Sequence, residues 1–120
     1  MSDNYETDEW LIDLFDRKMW YDPCPLHGIT SSDGLKGRWP KWTFVNPPYS
    51  NPKPWVEKAI RHVKYSDDPA TVVMLLKHDS STEWYRLLHE AGAKFLMIQG
   101  RLKFRTKKPA PFPSVLVVLS

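Results

Sequence analysis

The run Phe44-Val45-Asn46-Pro47-Pro48-Tyr49-Ser50 limits the fold more than any other stretch of the chain. A β-prone approach, Trp42 to Val45, must stop at Asn46, because neither following proline has an N–H to give to a sheet ladder. Asn46 precedes a proline, which drives its backbone toward β or polyproline geometry. A rigid corner at a strand end therefore presents a side-chain amide, one or two carbonyls and an aromatic ring. That set suits a flat, amino-bearing base, with acceptors for the exocyclic amino group and a π-face for the ring.

On either side of this corner the chain alternates between helical and extended patterns. From Asp8 to Lys18, Trp10, Leu11, Leu14 and Phe15 fall on one helical face. Met19-Trp20-Tyr21 reads as a short strand closed by Asp22-Pro23. Residues 23–41, punctuated by Pro23, Pro25, Gly28, Gly34, Gly37 and Pro40, read as a long loop of the kind that carries function. After the corner, Asn51-Pro52 starts a helix with Trp55, Val56, Ala59, Ile60 and Val63 as its apolar stripe. Ser66-Asp67-Asp68-Pro69 stops it. Thr71 to Leu76 is apolar throughout, as a central strand covered on both faces would be. Asp79, Ser80 and Ser81 offer caps for a third helix, with Glu83 at capping-box distance from Ser80. That helix turns Trp84, Leu87, Leu88 and Ala91 inward and ends at Gly92. Lys94 to Gln99 and Ser114 to Leu119 are the last strands.

This order predicts an α/β layered domain over residues 1–120, with 1–7 as a frayed start. Right-handed crossovers make its sheet mostly parallel, with helices on both faces. The final connection alone lacks a helix, so the last strand should pair antiparallel with the one before it. An uncovered first-strand edge is a liability. A two-fold homodimer shielding it, or a monomer whose 23–41 loop orders on ligand binding, would remove that liability.

Composition narrows the rest. The 120 residues are 42% hydrophobic and 26% charged, an ordinary soluble balance. No apolar run approaches membrane-spanning length, and the acidic start reads as neither signal nor transit peptide. A cytoplasmic protein is expected. The single cysteine, Cys24, excludes an internal disulfide and a Cys-rich zinc site, and the four histidines show no ligand spacing. No metal is expected. The formal charge of +3 is unevenly spread. Arg101, Lys103, Arg105, Lys107 and Lys108 fall within eight residues without an acid, whereas Met1 to Asp16 holds six acids and no Lys or Arg. Such asymmetry suits an anionic partner at one end of the fold.

Asn46-Pro47-Pro48-Tyr49 resembles the catalytic motif of S-adenosylmethionine-dependent amino-methyltransferases. The wider chain is similar to small phage-type DNA adenine-N6 methyltransferases. The matching pieces run in order: Asp8-Glu9-Trp10, Tyr21-Asp22-Pro23-Cys24, Asp33-Gly34-Leu35 with Trp39, Phe44 to Ser50, Trp55, Val73 to Leu76, Thr82-Glu83-Trp84, Gly100 to Phe104 and Ala110 to Val118. The resemblance implies a reduced class I methyltransferase, Rossmann-like sheet ending in an antiparallel hairpin. Its active site would be Asn46, Pro47, Pro48 and Tyr49, with Asn46 and the Pro47 carbonyl accepting from the target amino group and Tyr49 stacking on the extruded base. Asp22, Pro23, Asp33 and Trp10 would meet the cofactor. The five cations of 101–108 would grip DNA phosphates, giving relaxed or very short site specificity.

The chain departs from the family pattern at three places. Leu11-Ile12 stand where Thr-Pro usually follows the tryptophan, and no Gly-x-Gly follows Asp22. The connection between the first two strands is also too short for two further strand–helix units, since one βαβ unit takes roughly thirty residues. Two other readings share the motif: methylation of RNA or of a protein glutamine amide, and a degenerate relative that binds nucleic acid without turnover.

Overall fold

The structure is a computed structural model that describes residues 21–23, 31–48, 50–98, 100 and 113–120, without the side chains of 31–33. Three helices and four strands alternate along it: α1 (Ser31–Lys36), β1 (Trp42–Val45), α2 (Lys53–Tyr65), β2 (Thr71–Lys77), α3 (Glu83–Glu90), β3 (Lys94–Met97) and β4 (Ser114–Leu119). They build one mixed sheet in the order β1-β2-β4-β3.

Strand β2 is central because its sequence allows nothing else. Val72 to Leu76 are all buried, so both faces of the strand are covered. It pairs in parallel with β1, Val45 opposite Met74, and antiparallel with β4, Met74 opposite Val117. The expected antiparallel pairing of β4 with β3 is present, with Leu96 opposite Leu116. The expectation of a mostly parallel sheet is corrected: among the described residues one strand pair is parallel and two are antiparallel. The reason lies in the two sequences. Ser114-Val-Leu-Val-Val-Leu119 is buried at five of its six positions and belongs inside a sheet, whereas Lys94-Phe-Leu-Met97 is largely exposed and makes an edge. The chain therefore returns between β2 and β3 instead of outside β3.

One face of the sheet, formed by Val45, Val72, Met74, Leu76, Val115, Val117 and Leu119, shares an apolar cluster with Trp55, Val56 and Ala59 of α2 and Trp84 and Leu88 of α3. Leu35 of α1 packs against the same cluster. The described helices thus gather on one side. Phe44, Val73, Leu75 and Leu116 alternate onto the opposite face and are buried as well. Residues 8–18, expected to form a helix, lie outside the described residues.

Helix boundaries follow local chemistry. Pro52 is the N-cap of α2 and Pro54 sits in its first turn, where a missing N–H costs nothing. At the other end Ser66 leaves the helix in an extended conformation. The cap of α3 is Thr82 instead of the Ser80 and Glu83 pair: the Thr82 hydroxyl accepts the Tyr85 N–H at 3.3 Å. The threonine wins because the preceding turn is already closed by Asp79, whose Oδ1 accepts both the N–H and the hydroxyl of Ser81. Helix α3 ends in a Schellman motif. Gly92 takes φ +79°, and the N–H groups of Gly92 and Ala93 donate back to His89 and Leu88. The 23–41 connection, expected as plain loop, carries the short helix α1.

Candidate active site

Parallel strands carry their C-terminal ends to one edge of a sheet, and that edge collects the sequence-predicted site. Tyr21 forms a parallel bridge to Thr43, giving its N–H to the Trp42 carbonyl at 3.0 Å and accepting the Phe44 N–H at 2.9 Å. Tyr21, the described end of the first expected strand, therefore lies beside β1 on the side away from β2. Asp22 and Pro23 leave it at the edge where Asn46 and Pro47 leave β1. Asp22 is exposed and Pro23 buried. One strand further, Lys77, His78 and Asp79 leave β2 at this edge.

At the corner itself Asn46 is half-buried with its Oδ1 shielded from solvent, Pro47 is buried and Pro48 is partly exposed. The Pro48 carbonyl accepts the Asn51 N–H at 3.2 Å, so a tight turn leads from the motif into α2. The Pro52 carbonyl then takes the Trp55 and Val56 N–H groups, and Trp55 is almost completely buried. The corner is thus fixed at both ends, by β1 behind it and by a buried tryptophan one turn into α2. At the other end of β1, the hydroxyl of the buried Thr43 donates to the Pro40 carbonyl at 3.2 Å.

The beginnings of α2 and α3 meet at this edge through Lys53 and Glu83, 3.0 Å apart. The hydrogen bond between them raises the lysine's pKa and lowers the glutamate's. The His78 N–H donates to the Pro113 carbonyl at 2.8 Å, and its ring continues a stack through Tyr85 to Phe95. The Pro113 contact pins the returning end of the 100–113 connection beside β2. Because β3 runs antiparallel to β4, its C-terminal end leads into that connection from the same edge.

Of the residues singled out in the sequence, Asp22, Pro23, Asn46, Pro47 and Pro48 come together here. Asp33 lies in α1, whose backbone approaches Pro23. Trp10, Tyr49, Arg101, Lys103, Arg105, Lys107 and Lys108 lie outside the described residues. Trp39, one of the pieces that match the family, is a core residue: it is buried, stacks on Trp55 at 6.3 Å and donates its Nε1–H to the Gly34 carbonyl at 2.9 Å. Sequence reading passed over Lys58. Its ammonium binds the Leu35 carbonyl at 2.6 Å and the Gly37 carbonyl, and lies 5.2 Å from the Trp39 ring centre. Four residues later His62 Nε2 meets the Pro40 carbonyl at 2.8 Å. Only the i, i+4 spacing of two polar groups on an amphipathic helix could have suggested this clamp, and it is a weak signal.

Comparisons with known proteins agree with the resemblance. The sequence profile of the family described as DNA N-6-adenine-methyltransferase (Dam) matches residues 7–113. The DNA N-6-adenine-methyltransferase of Haemophilus phage HP1 (strain HP1c1) is 47% identical over 45 residues, covering 38% of this chain and 25% of that protein. The DNA N-6-adenine-methyltransferase of Escherichia phage T1 is 34% identical over 81 residues, covering 66% of this chain and 33% of that protein. The matched parts span a quarter to a third of the length of these relatives. No solved structure matches the chain.

Proposed function

The chain belongs to the DNA N-6-adenine-methyltransferase family, and from that premise we propose that it transfers a methyl group from S-adenosylmethionine to the amino group of adenine in DNA. One observation carries the reading: Asp22-Pro23 follow Tyr21, which bridges β1 in parallel at Thr43, so they lie at the sheet edge where the Asn46-Pro47-Pro48 corner leaves β1. Ligands of open α/β sheets gather at this kind of edge. We read the sheet as a reduced class I methyltransferase sheet, on the strength of that edge and of the antiparallel β4 that closes the fold.

The cofactor fits the residues present by the chemistry of its donors. An exposed carboxylate, Asp22, is a matched acceptor for hydroxyl and ammonium groups, and Asp33 lies in the helix packed beside it. Pro23 shapes the strand end between them, and Trp10 is the proposed contact from the start of the chain. When bound, the cofactor supplies a methyl group activated by the sulfonium.

The chain's own residues do the orienting. The Asn46 side-chain oxygen and the Pro47 carbonyl accept hydrogen bonds from the target amino group, which directs its lone pair outward as the nitrogen rehybridises. Pro48 stiffens the corner, and Tyr49 stacks on the extruded base. No strong general base is needed at the first step. Holding donor and acceptor in line is worth roughly 7–11 kcal/mol of barrier. With cations that read backbone and not base edges, recognition is relaxed or very short.

The test is Asn46→Ala assayed by radiolabelled methyl transfer to unmethylated DNA, with RNA and cell extract as parallel substrates. Transfer to DNA should be abolished while the melting temperature stays within a few degrees. Substantial remaining turnover would refute the assignment, and labelling of RNA or protein in place of DNA would move it to another amino-group substrate.

A further inference from the structure

Of the glycines among the described residues, Gly34, Gly92 and Gly100 are glycine for different reasons. Gly92 and Gly100 adopt φ of +79° and +73° with open space where a Cβ would stand. They serve backbone conformation. Gly34 has no such φ, and its reason is space. A Cβ there would overlap the Pro23 carbonyl oxygen and come within 2.8 Å of both the Pro23 carbonyl carbon and Cη2 of Trp55. Neither neighbour can give way. The carbonyl is backbone at the end of the first strand, and Trp55 is fully packed.

We propose that Gly34 is a positioning residue for the cofactor: its missing side chain lets α1 seat directly on the Pro23 carbonyl and so fixes the Asp22 end against the Asp33 helix. The proposal rests on the cofactor assignment made above. Other contacts hold the seat closed. The Gly34 carbonyl accepts from Trp39 Nε1, the Trp39 ring stacks on Trp55, and Lys58 takes the Leu35 and Gly37 carbonyls that follow. The turn of chain after Asp33 is thereby anchored to α2, which starts four residues beyond Tyr49. Strand end, helix α1 and catalytic corner all take their position from Trp55. Between Tyr21 and β1 the short helix α1 is the element that the described residues offer to hold the cofactor side in place, so its seat matters.

The experiment measures binding of S-adenosylhomocysteine by calorimetry, alongside steady-state methyl transfer. If the wild-type chain binds none, the cofactor reading itself fails. If it binds, Gly34→Ala should weaken binding roughly tenfold to a hundredfold, as a displacement of about an ångström does. The cofactor KM should rise with it, while the DNA KM and the rate at saturating cofactor stay within a few-fold. A purely structural role would instead lower the folded fraction without splitting the two KM values. Trp39→Phe keeps the stacked ring and removes the donor to Gly34. It should weaken binding in the same direction by a smaller factor, and it decides the matter if Gly34→Ala does not fold. Unchanged affinity in the folded variants would overturn the proposal.

Discussion

The two lateral sides of the sheet are built on opposite principles. On the β1 side, Tyr21 extends the sheet, α1 seats on Pro23, and Trp39, Trp55, Lys58 and His62 lock the connection in place. On the β3 side the edge strand offers Leu96 at 55% and Met97 at 74% exposure. Its described packing is largely the Tyr85–Phe95 stack and the pairing with β4. The difference follows the division of labour proposed above. A small cofactor needs acceptors held to fractions of an ångström, which calls for a packed wall. A nucleic-acid backbone is gripped by long cationic side chains that adjust, so the side leading into residues 101–108 can stay open.

The largest expected effect tests the packed side. Trp55→Ala removes a side chain that touches α1, Trp39 and the sheet cluster, and should cost about 3–5 kcal/mol in denaturant unfolding. Met97→Ala on the opposite edge should stay within about 0.5 kcal/mol. Comparable losses at the two positions would break the comparison at its base.

A second effect concerns binding and not folding. If all five cations of 101–108 meet phosphates, the log–log salt slope on duplex DNA should lie near −4 to −5, at about −0.9 per contact. Neutralising Arg101, Lys103 and Lys107 together should flatten it by about 3 while leaving S-adenosylhomocysteine affinity unchanged. An unchanged slope would place the DNA elsewhere. A loss of cofactor affinity would show that the two sides are not separable.

Much of this division was legible in the chain, for reasons tied to particular residues. Pro47 and Pro48 cannot continue a ladder, so the end of β1 was fixed by covalent chemistry alone. The apolar run of β2 could only be a central strand. Gly92 and Pro69 marked ends that the structure keeps. The insertion of β4 between β2 and β3 was not legible, because strand order depends on which sequence tolerates exposure, and pairing partners leave no local pattern. Helix α1 was missed because a helix of six residues shows no periodicity against prolines and glycines on either side. Thr82 displaced the predicted cap because the side chains of Asp79 and Ser81 bond each other first. At the site, Asp22 and Asn46 were marked by position, whereas the steric role of Gly34 exists only once Pro23 and Trp55 are brought against it.

The smallest effect is electrostatic and lies on the β3 side, in the turn joining β2 to α3. Asp79 is held below its ordinary value of 3.8 first by the Ser81 hydroxyl and then by the Ser81 N–H, with Lys77 and His78 adding a little. A carboxyl group whose folded pKa lies below its unfolded one contributes stability that is present above the unfolded value and lost as pH falls through the folded one. Ser81→Ala removes the first donor and keeps the second. The Asp79 pKa should move part of the way back toward 3.8, as read by carboxyl NMR titration. The small stability gap between variant and wild type should exist at neutral pH and close in acid, once Asp79 is protonated in both chains. On the β1 side the described contacts that hold the Gly34 seat are apolar packing, a tryptophan N–H and Lys58, whose partial burial lowers its pKa at the alkaline end of the scale. Exchange protection of Trp39 Nε1–H should therefore be the same in Ser81→Ala and wild type at every acidic pH where both are folded. If protection of that proton falls with the titration of Asp79, the two sides are coupled through β2 and share one local opening. An unmoved Asp79 titration in Ser81→Ala would mean that the hydroxyl contact does not order the turn.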